Sequence, residues 1–187
     1  MKCFDNVPLE NISSCVNDEL VAGTSETEIY IGIADQIATD AVLPPLGTAS
    51  STLASLGTLT GDIAFDANTH GFFKLKVQSE TGELKDELVG NKGNKKVKSS
   101  FDFYLPNTAA EQIGFMRQFK NVGLVVLVTE KSGRVRKLGS KIAPVYMESA
   151  AMTTGKGPED DTGTQYTLST TSSTPAPIYT GAIPVPA

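Results

Sequence analysis

The chain has 187 residues, of which 40% are hydrophobic and 20% charged, and its net charge is −5. That is enough for one ordinary domain with a real core, and too apolar for a disordered chain. No stretch approaches the ~18 consecutive apolar residues of a membrane span, and the acidic balance argues against a dedicated nucleic-acid binder, whose affinity comes from phosphate neutralisation.

Met1-Lys2-Cys3-Phe4-Asp5 has no apolar h-region, so synthesis and folding in the cytoplasm are expected. Cys3 and Cys15 share one N-terminal segment, where a bridge would close only a short loop; without an export signal, reduced thiols are expected. Residues 1–25 have little periodicity and read as an N-terminal arm. Ile29, Ile31 and Ile33 then alternate, a strand signal. Residues 39–61 read as a long loop, broken by Pro44-Pro45, with a helical turn near Ser51–Leu56. Asp62–Asp66 is a short strand candidate. Gly71–Ser79 is a stronger one, with Phe73, Leu75 and Val77 on one face, and Phe101, Phe103 and Leu105 repeat the pattern. These last two strands read as antiparallel partners. Between them, Glu80–Ser100 is longer than a hairpin turn requires, and reads as a charged excursion from the body of the domain.

Asn107–Lys120 is the one clear helix. Thr108 and Glu111 fit a capping box, and Ile113, Phe115, Met116 and Phe119 supply an apolar face. Gln112, Arg117, Gln118 and Lys120 fall mostly on the other face, and Gly123 stands where a C-terminal cap would end the helix. Leu124–Val128 is continuously apolar, as a strand buried on both faces would be. Lys131-Ser132-Gly133-Arg134 makes a turn into a returning strand, Val135–Leu138, and Ile142–Met147 extends the strand system past Gly139. Residues 155–163 form a polar loop. The strand that follows alternates Gln165, Thr167, Ser169 and Thr171 with Tyr166, Leu168 and Thr170. The fold class is mainly β: a β-sandwich or half-barrel with one packed amphipathic helix and a long charged hairpin or arm. Residues 1–187 read as one domain, with residues 182–187 as a C-terminal tail.

Catalytic chemistry is hard to place. A Ser-His-Asp or Cys-His site needs a base beside a nucleophile, and the one histidine, His70, falls in a turn. No catalytic residue, metal ligand set or cofactor is expected; Thr154-Gly155-Lys156-Gly157 lacks the spacing of a phosphate loop. Glu159, Asp160 and Asp161 form an acidic loop, read as a solvated tip or a partner for a basic surface rather than a cation site. The excursion is polarised. Glu80, Glu83, Asp86 and Glu87, with Lys85 among them, precede Lys92, Lys95, Lys96 and Lys98. One reading is a hairpin whose charges compensate internally. Another is an arm that docks on complementary patches of neighbouring copies, since such charge sets register. On the second reading, deleting Lys85–Lys95 leaves a folded domain that no longer stacks.

Leu124–Glu130, Lys137-Leu138-Gly139-Ser140, Pro158–Gly163 leading into Thr164–Ser172, and Pro175–Gly181 together resemble tail tube proteins of tailed bacteriophages. The resemblance covers roughly the last two-thirds of the chain. It implies a virion protein of the tail, assembled in the host cytoplasm as hexameric rings around a continuous inner β-barrel. Its partners would be other copies of itself and other virion proteins, with DNA only as transported cargo and no membrane. In that family the 80–100 arm would reach an adjacent ring, and a lumen of one negative sign would let DNA slide. The alternatives are another phage structural protein (capsid decoration, tail terminator or connector) and a carbohydrate-binding or adhesin-like β-sandwich. The absence of tryptophan lowers the last, because glycan sites usually present exposed aromatics.

Overall fold

The computed structural model describes residues 23–47, 52–78, 80–157 and 159–186. The greater part of the N-terminal arm, including Cys3 and Cys15, and Pro158 of the polar loop lie outside the described residues.

The chain opens with β1 (Thr24–Ile33), a 3-10 turn and β2 (Ile37–Thr39). Next come α1 (Leu53–Leu56), β3 (Thr58–Leu59), β4 (Ala64–Phe65) and β5 (Phe73–Leu75). The hairpin β6 (Glu83–Val89) and β7 (Lys96–Pro106) leads to α2 (Ala110–Phe119). The chain closes with β8 (Leu124–Glu130), β9 (Val135–Leu138), β10 (Tyr146–Thr153), β11 (Gly163–Ser172) and β12 (Ile178–Tyr179). A six-stranded sheet runs β3-β12-β9-β8-β1-β5, a four-stranded sheet runs β10-β11-β7-β6, and β2 pairs with β4. The mainly β, sandwich-like fold with one packed helix follows the alternation in the sequence.

The main core lies between the two larger sheets. Ile29, Ile31, Val126 and Val128 come from one sheet, and Phe101, Phe103, Tyr166 and Leu168 from the other. Phe115, Met116 and Phe119 of α2 pack against this core. A second core covers the opposite face of the six-stranded sheet, where Val125 and Leu127 meet Ile37, Leu59, Ile63 and Phe72. Strand β8 is therefore a middle layer, with alternate residues feeding different cores, and this is why its sequence is uniformly apolar.

Several local expectations change. Phe73–Leu75 and Phe101–Leu105 are not partners: β5 pairs with β1, β7 pairs with β6 and β11, and the similar alternating faces meet across the core. The Thr108–Glu111 capping box does not form, and α2 starts from Ala109 with no side-chain cap. Asn107 takes a left-handed backbone (φ 80°), and its Oδ1 accepts from Thr108 N instead. Packing selects Gln112, Phe115, Met116 and Phe119, spaced i, i+3, i+4 and i+7, so Ile113 is left 53% exposed. Gln112 donates to Pro106 O, and its own Oε1 accepts from Thr164 Oγ1. Gly123 is not the cap, which is Lys120; a Cβ at Gly123 would sit 2.8 Å from Pro144 Cβ.

Ile142–Met147 does not continue β9. The chain turns at Gly139 (φ 76°), and β10 then joins the other sheet. A Cβ at Gly139 would fall 2.6 Å from Val145 Cγ2, so glycine is required both by conformation and by contact. The C-terminal tail is docked through residue 186: Ile183 packs on the second core and Phe72 N donates to Pro184 O.

Candidate functional site

The four-stranded sheet carries the charge. Its register aligns Glu87 with Lys98, Lys85 with Ser100 and Glu83 with Asp102, and continues through Ser169 and Thr167 of β11. These residues point away from the core, because the alternate set (Leu84, Phe101, Phe103, Leu168) points into it. None of the outward residues is buried, so among the described residues no other element lies over this face. Four carboxylates (Glu83, Glu87, Asp102, Glu148) stand there against two ammonium groups, Lys85 and Lys98. A shallow hollow of about 450 Å³ lies among them.

The face is internally organised. Lys85 Nζ lies 2.9 Å from Glu83 Oε2 and 4.0 Å from Asp102 Oδ2. Lys98 Nζ lies 2.9 Å from Glu148 Oε1, and Thr167 Oγ1 donates to Asp102 Oδ1 at 2.6 Å. The Glu83 hydrogen bond raises the Lys85 pKa, and the Lys98 hydrogen bond lowers that of Glu148. Exposed pairs like these fix geometry and add little stability.

Both edges of this sheet are unpaired among the described residues. Among the described residues, β6 pairs only with β7 and β10 only with β11. The excursion is therefore not detached from the body. Glu83–Val89 is an edge strand paired along its whole length, and only residues 90–95 project as a tip.

Asp86 separates from the other charged residues of the segment. It lies between Leu84 and Leu88 in the alternation and so turns inward. Its Oδ1 accepts from Ser99 Oγ at 2.5 Å and from Ala176 N at 3.2 Å, and its Oδ2 accepts from Arg136 Nη2 at 2.7 Å. Arg136 also reaches Glu130 Oε1 at 3.3 Å and Ala176 O at 2.5 Å. This cluster ties β6 to β9 and to the 173–177 strap, across the gap between sheets. Deleting Lys85–Lys95 would remove Asp86 and most of the edge strand, so that deletion is no longer expected to leave a folded domain. Arg136, Ser99 and the strap were not anticipated; the inward phase of Asp86 was the available signal. Nor was the pairing of buried Lys137 (3% exposed) with Asp40, at 2.7 Å.

Lys92 and Lys95 stand exposed at the tip, whereas Lys96, paired with Val89 at the start of β7, shares the outward phase of Lys98 on the face. The acidic loop lies beyond the other end of the sheet, joining β10 to β11. Its residues differ in role. Asp160 Oδ2 accepts from the backbone N–H of Lys156 and of Gly157, each at 2.8 Å, and these bonds lower its pKa. Glu159 and Asp161 point to solvent. Because the folded pKa of Asp160 lies below 3.8, its hold on the loop is complete above that pH and is lost as the pH falls through the folded value. Asp160→Ala is expected to speed amide hydrogen exchange at Lys156 and Gly157 at neutral pH while the melting temperature stays unchanged. Unchanged exchange there would contradict the loop geometry.

His70 lies in a turn, with Nδ1 against Asp66 Oδ1 at 2.5 Å. Among the described residues no three His, Cys, Asp or Glu side chains converge as a metal centre would need. What the arrangement offers chemically is a pairing edge on either side of a hydroxyl-rich and net acidic face that no described residue covers. Set against models of protein families, curated proteins and solved structures, the chain has no match.

Proposed function

We propose that this protein is a structural virion component that assembles into stacked, hexameric rings forming a phage tail tube. It would work in the virion tail, after assembly in the host cytoplasm. The observation that carries this reading is the four-stranded sheet, in which, among the described residues, both edges are unpaired and one face is uncovered. Unpaired edges are templates for further strands. When β6 of one copy meets β10 of the next, the contact is heterologous, and such contacts close into rings where the rotation permits. Six such sheets would make a continuous barrel. The faces bearing Glu83, Glu87, Asp102 and Glu148 would then share one environment, and on the inside their net negative charge would repel DNA phosphates. The resemblance noted from the sequence gives the same architecture. The reading needs no catalytic group and no cofactor, and its partners are other copies, other virion proteins and passing DNA.

The polar hollow beside Lys85, Lys98 and Asp102 gives a glycan-binding sandwich one point in its favour. The tube reading accounts for the open edges as well. Negative-stain electron microscopy of concentrated protein, beside its mass by light scattering, decides between them. Rings or hollow tubes with a bore wide enough for a duplex are expected; a monomer at every concentration would end the tube reading.

A further inference from the structure

We propose that Lys137 and Asp40 condense into an intramolecular isopeptide bond, a covalent staple between β9 and the segment that follows β2. Nζ of Lys137 would join Cγ of Asp40 as an amide and release water. The bond would close the chain between residues 40 and 137 into a loop that stays closed on unfolding, as a disulfide does, without an oxidising compartment. The inference does not depend on self-assembly.

Burial is the first support. The register of β9 sets Lys137 opposite Leu127, so its side chain turns toward the second core. At 3% exposure it is the only charged residue buried among the described residues. An ion pair held there keeps two charges out of water, and their attraction does little more than offset that cost. An amide is neutral, so condensation removes both charges and expels a water. Lys85–Glu83 and Lys98–Glu148 differ: each of these side chains is at least 39% exposed, so both pairs stay solvated and ionic.

Geometry is the second. Nζ lies 2.7 Å from Asp40 Oδ1. Cγ is one C–O bond further, hence at most about 3.9 Å from Nζ, close to a near-attack separation. Oδ1 is buried yet accepts no hydrogen bond among the described residues, so Nζ touches it without the alignment of one. Oδ2 instead accepts from Lys141 N at 3.3 Å, and Lys141 Nζ donates to Ile37 O at 2.6 Å, which holds that loop against β2. The two oxygens therefore differ. Oδ2, on a backbone N–H, can carry developing negative charge, and Oδ1, beside Nζ, can leave. One proton passes from the ammonium to Oδ1, giving amine and acid. The nitrogen lone pair adds to Cγ while Lys141 N–H stabilises the charge on Oδ2. A second proton moves from Nζ to the Oδ1 hydroxyl, the Cγ–Oδ1 bond breaks and water leaves. The amide keeps one N–H, and no other reactant is consumed. Solvent is nearly excluded at Lys137, which disfavours the return by hydrolysis.

The test is the mass of the full-length chain, measured under denaturing conditions after incubation of the folded protein. Most wild-type molecules are expected to be lighter than their sequence by one water, and Lys137→Arg to have its full mass. Tandem mass spectrometry of a wild-type digest is expected to show a branched peptide joining Asp40 to Lys137, with Lys85 and Lys98 in linear peptides. That readout needs no variant to fold. Wild type at full mass, with Asp40 and Lys137 recovered only in linear peptides, overturns the assignment. A loss of water that persists in Lys137→Arg, with no branch at Lys137 in wild type, overturns it equally.

Discussion

Phe103→Ala will lower stability by about 3–5 kcal/mol, and with it the melting temperature by roughly 6–20 °C. Phe103 is fully buried at the centre of an aromatic column. Its ring lies 5.2 Å from both Phe101 and Tyr166, and Tyr166 in turn meets Phe115 of α2 edge-on at 5.5 Å. Truncation removes contacts on both sides and leaves a void that neighbours on two rigid sheets and a helix can fill only in part. Ile113→Ala, on the exposed side of α2, should cost no more than ~0.5 kcal/mol. Thermal and denaturant unfolding of the two variants check the pair. Equal losses would mean that α2 packs through a different face.

Asp86→Ala will cost about 2–4 kcal/mol, whereas Glu87→Ala next to it will stay within ~0.5 kcal/mol. Asp86 accepts from Ser99, Ala176 and Arg136, all of which belong to other elements. Its removal leaves the half-buried Arg136 guanidinium with Glu130 as its carboxylate and orphans two further donors. Glu87 faces solvent, and its loss leaves no donor stranded in the core. Similar costs for both would show that β6 is held by its ladder alone, and that the charged segment is closer to a free arm.

The legible part of this fold is its alternation. Ile29/Ile31, Phe101/Phe103/Leu105 and Tyr166/Leu168 each announced a buried face, and the unbroken run of β8 announced two. The illegible part is pairing. The faces of β5 and β7 look alike, and period-two patterning says which side is buried but not which strand lies beside it. The helix shows a related ambiguity. Ile113 is more apolar than Gln112, yet the i, i+3, i+4 spacing to Phe115, Met116 and Phe119 favours Gln112, whose polar ends find Pro106 O and Thr164. For the charged segment, sign was visible and phase was overlooked: Asp86 lies between Leu84 and Leu88, and that alone separates it from Lys85 and Glu87. Arg136 and Lys137 depend on contacts over dozens of residues, which no local pattern encodes.

Amide hydrogen exchange, compared between dilute and assembled protein, tests most directly whether copies join through the open edges of the four-stranded sheet. Assembly is predicted to raise protection on alternate residues of β6 and β10, whose outward N–H groups gain partners, and to leave β3 and β5 at the edges of the six-stranded sheet unchanged. Protection gained at β3 and β5, with β6 and β10 exchanging as in the dilute protein, would contradict the account.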